Sequence, residues 1–257
     1  MTDKPLPICK IYKVKDDAEE HRVHKRSAPD LPMRTLIVGK SQLSGKTNTL
    51  VNLLLRPFDE TDKEGEQFYM NDFEGDNIYI VCPSTDLDSK WKKIIHCKRI
   101  PEQNIYTRYD EQELEQLYTK LELKHYERKR EGKKPVHSLV IFDDCSFGGD
   151  LKNKMHGVMS KFACNSRHLF VSILVTAQKY SDISTTLREN ATAMMLYNCS
   201  YKQKELIYGD VGEQSKKEFM DMFNKATREK HSFMMVNYSN DAAERFLDSN
   251  FQPLSDK

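Results

Sequence analysis

A stretch of nine residues near the start of the chain has the composition of a phosphate-binding loop. It comprises Gly39, Lys40, Ser41, Gln42, Leu43, Ser44, Gly45, Lys46 and Thr47. In such a loop, the glycine before the lysine lets the backbone approach the phosphates, and successive N–H groups supply positive potential. Lys46 would reach the outer phosphates, and the Thr47 hydroxyl would bind Mg²⁺. The stretch therefore predicts a site for a nucleoside triphosphate and Mg²⁺.

The spacing of the two glycines departs from the common form G-x-x-x-x-G-K-[ST]. Five residues separate Gly39 from Gly45, so Lys40 stands where the first glycine is expected. Either the loop is one residue wider, or another residue makes its first turn. The string Gly-Lys-Thr alone is a weak signal. It becomes more specific because an apolar run, Arg34–Val38, precedes it and an amphipathic segment, Lys46–Arg56, follows it.

Two adjacent aspartates end another apolar run later in the chain. The residues Leu139–Phe142 precede Asp143 and Asp144. A strand that is apolar throughout is typical of a parallel sheet covered on both faces, and ligands bind beyond the carboxyl ends of such strands. Asp143 is therefore our candidate for holding Mg²⁺, and Asp144 for the general base that activates the attacking water. The alternative is that the acidic pair only caps the next helix.

Three further polar residues are candidates for stabilising the transition state. Gln178 follows the apolar run Leu169–Thr176 and could position the water or sense the γ-phosphate. Arg188 and Arg167 could neutralise charge in the transition state, in the same subunit or a neighbouring one. The alternatives are a surface glutamine after a strand, and arginines that are solvated or in salt bridges.

Two basic segments are candidates for contacting nucleic acid. One is Lys124–Lys134, and the other contains Lys90, Lys92, Lys93, Lys98 and Arg99 around the single tryptophan, Trp91. Each neutralised phosphate would release counterions and so favour binding. Cations at a helix C-terminus also complement the helix dipole, which is the structural alternative for the first segment.

Composition excludes several classes of protein. Among 257 residues, 40 basic and 39 acidic side chains leave a formal net charge of +1, so any polyanion must be met by a local patch. No apolar run approaches the length of roughly 20 residues that spans a bilayer. The N-terminus lacks the order of a secretory signal. Six cysteines without zinc-type spacing indicate reduced thiols and no structural metal.

The order of elements predicts an α/β fold with a mostly parallel central sheet flanked by helices. We expect a polar N-terminal arm at residues 1–32 and one P-loop ATPase domain at residues 33–257. The predicted strands are Arg34–Val38, Asn77–Cys82, Ser138–Phe142, Leu169–Thr176, Ala193–Tyr197 and Ser232–Asn237, and the predicted helices are Lys46–Arg56, Asp110–Arg130, Leu151–Asn165 and Gln214–Arg228.

These motifs, in their order along the chain, resemble those of the genome-packaging ATPases of poxviruses, giant viruses, virophages and related mobile elements, a branch of the FtsK/HerA superfamily. The resemblance covers about residues 33–238, in the segments IVGKSQLSGKT, IYIVCPSTDLDSKW, LVIFDDC, NSRHLFVSILVTAQKYSDISTTLREN and FMMVNYS. The stretch from Asn165 to Asn190 is the most specific, because an Arg-His pair, a strand, a glutamine and an L-R-x-N segment follow one another in the family's order.

The resemblance implies a P-loop NTPase fold in which the strand before Gln178 lies between the phosphate-loop strand and the acidic strand. It also implies a homo-oligomeric ring that uses ATP and Mg²⁺ to move double-stranded DNA into a preformed capsid. Capsid vertex or portal-site proteins would be partners, in the virion or in the host cytoplasm and viral factory. The implied roles are phosphate binding for Lys46 and Thr47, metal binding for Asp143, water activation for Asp144, sensing for Gln178 and the arginine finger for Arg188.

Two other functions share parts of this pattern. A P-loop kinase acting on a small-molecule acceptor would use the same phosphate and magnesium chemistry, although we find no arginine-rich lid segment. A non-hydrolysing, nucleotide-dependent capsid adaptor would be compatible with the altered glycine spacing. The packaging ATPase is our first interpretation, the kinase the second and the adaptor the third.

Overall fold

An eight-stranded sheet forms the centre of the protein in a computed structural model that describes residues 17–25, 28–41, 44–55, 68–145 and 157–254. The strands are β1 Arg34–Val38, β2 Ile78–Val81, β3 Ile105–Tyr106, β4 Ser138–Phe142, β5 Val171–Ala177, β6 Ala193–Tyr197, β7 Phe233–Asn237 and β8 Phe246–Leu247. The helices are α1 Asp17–Glu20, α2 Lys46–Leu55, α3 Ser89–Lys98, α4 Glu111–Arg130, α5 Val158–Asn165, α6 Thr185–Glu189, α7 Tyr201–Val211 and α8 Lys216–Ala226.

The strands are ordered β3-β2-β4-β5-β1-β6-β7-β8 across the sheet. The first six in this order run parallel, whereas β7 pairs antiparallel with β6, and β8 pairs antiparallel with β7. The strand β5 therefore lies between β1, which leads into the phosphate loop, and β4, which ends in the two aspartates. This confirms the strand order that the family resemblance implied.

Helices cover both faces of the sheet, which explains why the central strands are largely apolar. Alternate residues of one strand point to opposite faces, so Leu36 packs in one core and Ile37 in the other. The helices α2 and α3 cover the Ile37 side, and α4, α5, α7 and α8 contribute to the core on the Leu36 side. The predicted α/β class and mostly parallel sheet are confirmed.

Several boundaries differ from the sequence prediction. The helix expected over 151–165 begins at Val158, and residues 151–156 lie outside the described part of the chain. Phe170 has a left-handed backbone (φ 56°) that ends a short turn, so β5 begins at Val171 rather than at Leu169. The sequence prediction contained none of the elements α3, α6, α7, β3 and β8.

The described part of the predicted N-terminal arm packs against the domain. Ala28 and Leu31 are buried in the core on the α2 side. Val23 pairs with Leu31, and the Lys25 ammonium lies 2.7 Å from a carboxylate oxygen of Asp72. The boundary at residue 32 stays a prediction, and residues 1–16, 26 and 27 lie outside the described chain.

Two negative findings concern the described residues only. Along them, no helix is both long and apolar enough to cross a membrane. No disulfide joins the cysteines among them, which are Cys82, Cys97, Cys145, Cys164 and Cys199.

Candidate active site

The phosphate loop begins where β1 ends, and the neighbouring strands hold its first residue tightly. The Gly39 N–H donates to the Ala177 carbonyl of β5 at 3.0 Å. A Cβ atom at Gly39 would lie 2.5 Å from the Ser44 Cβ and 2.8 Å from the Tyr197 Cβ. Only glycine fits such a position, so the first glycine is required by packing rather than by an unusual φ.

The remainder of the loop turns back onto its own start. The Ser44 N–H and hydroxyl both donate to the Lys40 carbonyl, at 3.3 and 2.7 Å. Lys40 and Ser41 are exposed, while Gln42 and Leu43 lie outside the described residues. The described part of the wider loop therefore closes between residues 40 and 44.

Gly45 makes the transition from this turn into α2. Its φ is +87°, a left-handed conformation that L side chains rarely adopt. Its carbonyl then accepts the Thr49 N–H at 3.0 Å as the helix begins. His231, from the loop before β7, also faces Gly45, because its Nδ1 would lie 3.3 Å from an added Cβ. The sequence did not point to His231.

Lys46 is buried, with 7% of its surface exposed, and its ammonium donates to the Gly39 carbonyl at 2.8 Å. Burial lowers the pKa of Lys46, and the nearby charges of Asp144 and Asp143 oppose that shift. The predicted lysine and the acidic pair therefore lie close enough to interact electrostatically. Thr47, the predicted magnesium ligand, is half-buried, and its side-chain hydroxyl has no hydrogen-bond partner among the described residues.

Asp143 is almost fully buried at the carboxyl end of β4, and both of its carboxylate oxygens accept hydrogen bonds. The Trp91 indole N–H donates to Oδ2 at 2.9 Å, and the Thr176 hydroxyl donates to Oδ1. Burial raises the pKa of the Asp143 carboxyl, and the Thr176 and Trp91 hydrogen bonds oppose the shift. These hydrogen bonds hold the carboxylate in one orientation, beside Lys46.

Asp144 has a left-handed backbone with φ 54°, which an aspartate tolerates better than most residues. Its N–H donates to the Thr176 hydroxyl at 3.2 Å, so a single threonine contacts both aspartates. The Asp144 Oδ1 atom is buried and has no partner among the described residues. A buried carboxylate oxygen without a donor is suited to accept a hydrogen bond from water, either an attacking water or one bound to Mg²⁺.

Gln178 directly follows β5, between the strands that carry the loop and the aspartates. Its side chain is half-buried and hydrogen-bonds to none of the described residues. The carboxyl ends of β1, β4 and β5 therefore bring together Lys46, Thr47, Asp143, Asp144 and Gln178. This is the arrangement that the motifs predicted.

Arg188 and Arg167 lie at the amino ends of the strands, whereas the phosphate loop lies at the carboxyl ends. Arg167 is in the turn before β5, and Arg188 is in α6, before β6. A five-residue strand rises about 3.3 Å per residue, so roughly 16 Å separates its amino end from its carboxyl end. These arginines do not reach the phosphate loop of their own chain.

Arg188 is held inside its own chain. It forms an ion pair with Asp210 on α7, donates to the Thr185 hydroxyl at 3.2 Å and lies over the Tyr180 ring, 5.0 Å from its centroid. Arg167 is exposed, and its positive charge helps to lower the pKa of Arg34, for which burial is the larger cause. Arg188 therefore has partners within its own chain, whereas Arg167 is exposed to solvent.

Sequence reasoning missed the positioning roles of Thr176 and Trp91. Thr176 is a fully buried polar residue in a largely apolar strand, and its hydroxyl must have a partner. That requirement was a usable signal. Trp91 could not have been assigned in the same way, because its partner Asp143 is far away in the chain.

Comparisons with known proteins identify the family and the fold. A family model described as "Poxvirus A32 protein" matches residues 20–246, and comparison with curated proteins gives no match. The genome packaging NTPase B204 of Sulfolobus turreted icosahedral virus 2 has a similar structure. Its AMP complex has a TM-score of 0.55 at 13% identity, covering 80% of this chain and 93% of that one. Its sulfate complex has a TM-score of 0.51 at 13% identity, covering 80% and 91%.

At this low identity, the structural similarity shows a shared fold only. The family match is the stronger finding, because it extends over most of the chain. It confirms the resemblance drawn from the motifs. The chain therefore belongs to the poxvirus A32 protein family of viral genome-packaging ATPases.

Proposed function

We propose that this chain is the ATP-driven motor that moves double-stranded DNA into a preformed viral capsid. The observation that carries the proposal is the convergence of Lys46, the Asp143–Asp144 pair and Gln178 at the carboxyl ends of adjacent parallel strands. A phosphate loop, two carboxylates and an amide are the groups that nucleoside triphosphate hydrolysis requires. Family membership supports genome packaging as the process that uses this hydrolysis.

Lys46 changes its partner when ATP binds. Its ammonium donates to the Gly39 carbonyl at 2.8 Å in the structure. Phosphate oxygens are stronger acceptors, because hydrogen bonds between charged groups are roughly twice as strong as neutral ones. Lys46 then stabilises the charge that develops on the γ-phosphoryl group. Mg²⁺, when bound, neutralises further phosphate charge, and Thr47 and Asp143 are the residues that would hold it.

Asp144 is the proposed general base. Its buried Oδ1 accepts a hydrogen bond from the attacking water, and the Gln178 amide orients the same water. The water oxygen bonds to the γ-phosphorus while the bond from that phosphorus to the departing ADP oxygen breaks, and the water proton passes to Asp144. Thr176 keeps the two aspartates in fixed positions relative to each other during this step, because its hydroxyl contacts both of them.

We further propose that the site is completed by a neighbouring subunit in a homo-oligomeric ring. Arg188 and Arg167 lie about one strand length from their own phosphate loop, but at an edge that could face the loop of a neighbour. Arg188 would exchange Asp210 for the phosphates of the adjacent site. Closure of the interface would then be coupled to hydrolysis, and its reopening to movement along DNA.

Other components of the packaging machinery follow from family membership alone. We propose double-stranded DNA as the cargo and capsid vertex or portal-site proteins as the docking partners. The virion and the host cytoplasm, including the viral factory, are the proposed locations. The predicted division into an arm at residues 1–32 and an ATPase domain at residues 33–257 is kept as part of the proposal.

The test measures ATP turnover with and without duplex DNA, and displacement of a third strand from a triplex as a reporter of translocation. We expect turnover that DNA stimulates, and its loss in Lys46→Ala and in Asp144→Asn. A folded chain that hydrolyses no ATP under either condition would refute the proposal. Phosphate transferred to an added small molecule would favour the kinase. Nucleotide binding without hydrolysis, with normal assembly of Lys46→Ala, would favour the adaptor.

A further inference from the structure

The helix α3 presents a basic surface that the ATPase chemistry does not use. Its residues and the next one, Arg99, include five cations and no acid. Lys92, Lys93 and Arg99 are exposed and form no ion pair with a described residue, and we refer to these three as the α3 basic surface. Lys98 is different, because its ammonium donates to the backbone carbonyls of Met70 and Phe73.

Acidic residues near α3 do not neutralise this surface. Asp86 and Asp88 precede the helix, and Asp88 is its N-cap, accepting the Lys90 N–H at 2.9 Å. Neither carboxylate forms a salt bridge with the α3 basic surface. Uncompensated cations on one helix repel one another, so an anionic partner would relieve that repulsion.

The second basic segment, at the end of α4, differs in both its contacts and its location. Lys124 donates to the Asn77 side chain, the Arg128 Nε–H donates to the Lys134 carbonyl at 2.9 Å, and Lys133 lies 2.8 Å from Glu131. This end of α4 leads into the amino end of β4, whereas the phosphate loop lies at the carboxyl ends of the strands. The start of α3, which carries Trp91 and Lys92, instead follows the carboxyl end of β2, on the side of the active site. Arg99, at the other end of α3, packs beside Gly75, before the amino end of β2.

Trp91 connects α3 directly to the active site. It lies next to Lys92 in the sequence, is fully buried, and donates its indole N–H to the Asp143 Oδ2 at 2.9 Å. A rotation or shift of α3 must therefore either break this hydrogen bond or move the carboxylate. Trp91 therefore links the helix that carries the basic surface to the proposed magnesium ligand through one hydrogen bond.

We propose that the α3 basic surface binds the phosphate backbone of duplex DNA and that Trp91 couples this binding to Asp143. The proposal rests on the function proposed above and names the DNA contact within it. Lys92 and Arg99 are seven residues apart, about 10 Å along a helix, which corresponds to about three phosphates of one strand along B-form DNA. Contacts of this kind carry no sequence information, as packaging of a whole genome requires.

Coupling through Trp91 makes the two binding events reciprocal. If DNA bound to α3 changes the affinity for Mg²⁺ and ATP by some factor, nucleotide must change the affinity for DNA by the same factor. Trp91 is a positioning residue in this scheme, because it acts through Asp143 and does not touch the substrate.

The first experiment removes the three cations together, in Lys92→Ala/Lys93→Ala/Arg99→Ala. The matched control, Arg130→Ala/Lys133→Ala/Lys134→Ala, removes three exposed cations from the end of α4 and the turn that follows it. Duplex DNA binding is measured as a function of salt concentration, together with ATP turnover without DNA. Each lost phosphate contact lowers the magnitude of the negative slope of log K against log salt by about 0.9, so we expect that magnitude to fall by about 2.7 in the α3 variant only.

Each outcome of this experiment bears on the inference. Unchanged turnover without DNA, weaker DNA binding and a lower salt slope in the α3 variant support it. Equal slopes in the two variants, or a native chain that hydrolyses ATP but does not bind duplex DNA, overturn it while the ATPase remains established. Absence of ATP hydrolysis by the folded native chain instead refutes the proposed function.

The coupling is tested with Trp91 itself, which is the only tryptophan in the chain. We expect its fluorescence emission to change on addition of Mg²⁺ with a non-hydrolysable ATP analogue, and also on addition of duplex DNA. The α3 variant should keep the first change and lose the second. Trp91→Phe, once circular dichroism shows that it folds, should bind DNA as the native chain does but lose DNA stimulation of turnover. Native-like stimulation in Trp91→Phe, with DNA leaving Trp91 emission unchanged, overturns the coupling.

Discussion

Replacing Thr176 by valine tests whether one buried hydroxyl holds the two aspartates in place. The hydroxyl donates to the Asp143 carboxylate and accepts the Asp144 N–H at 3.2 Å, and Thr176 is fully buried. Valine has nearly the same shape but can do neither. The variant therefore removes two hydrogen bonds from the site without leaving a cavity.

The magnitude follows from the groups left unpaired. Losing a hydrogen bond to a carboxylate costs about 1.5–3 kcal/mol, and leaving a buried N–H without an acceptor costs about 1–3 kcal/mol. The additional methyl group offsets about 0.8 kcal/mol of this loss. We therefore expect the free energy of unfolding of Thr176→Val to fall by about 2–5 kcal/mol.

Thr176→Ser is the matched control, because it keeps the hydroxyl and loses only a methyl group. Its free energy of unfolding should fall by about 0.5–1.5 kcal/mol, as for other deletions of one buried methyl group. Urea unfolding of the nucleotide-free chain measures both variants, and ATP turnover at varied Mg²⁺ concentration measures the site. Thr176→Val should require more Mg²⁺ and turn over more slowly than Thr176→Ser. If the two variants were equally stable and equally active, the assigned role of Thr176 would be wrong.

Four further predictions concern the loop, the interface and a cysteine. Lys46→Ala should lower ATP turnover on the order of 10²- to 10³-fold while circular dichroism shows an unchanged fold, because the lost ammonium stabilises transition-state charge; turnover close to native would contradict this role. Gly45→Ala should lower the free energy of unfolding by about 1–2 kcal/mol in urea titrations, since φ +87° is unfavourable for alanine. Arg188→Ala subunits mixed with Lys46→Ala subunits should regain turnover if Arg188 acts across an interface, and no recovery would indicate that it does not. Burial raises the pKa of Cys199 to about 11, so its alkylation at pH 8, followed by peptide mass spectrometry, should be roughly 20-fold slower than in the denatured chain.

The Cys199 prediction tests how burial changes the reactivity of a thiol, not the stability of the fold. The lower thiolate fraction slows alkylation, although the greater nucleophilicity of a more basic thiolate offsets part of that effect. The rate should rise with pH until about pH 11, where the thiol of the folded chain ionises. A rate that levels off near pH 8.5, the ordinary value for cysteine, would contradict the predicted protection.

The Arg188 experiment distinguishes the same-chain and neighbouring-chain roles because the two variants damage different components. A mixed ring contains interfaces where an intact Lys46 site faces an intact Arg188. Only an arginine that acts across the interface can restore turnover there. Breaking the ion pair with Asp210 must precede this role, since both charges are paired in the single chain.

Local patterns were sufficient to locate the main chemical groups. Four apolar residues followed by Asp143 are recognisable because a strand buried on both faces must be apolar throughout, and its end must return to solvent. The loop before Lys46 is recognisable because its glycines meet backbone requirements that other residues cannot. By contrast, α3 escaped prediction because its sequence, SKWKKIIHCK, is dominated by charge and offers only a short apolar stripe.

The sequence alone determined the fold class of this protein and located the candidate phosphate loop and acidic pair, because each depends on residues that are near neighbours in the chain. Only the tertiary structure decided that Trp91 and Thr176 hold Asp143, and that Arg167 and Arg188 lie at the amino ends of the strands, away from the phosphate loop. These contacts depend on the order and register of strands brought together by packing. Hydrogen bonds across such a sheet join residues whose separation in the chain carries no local periodicity.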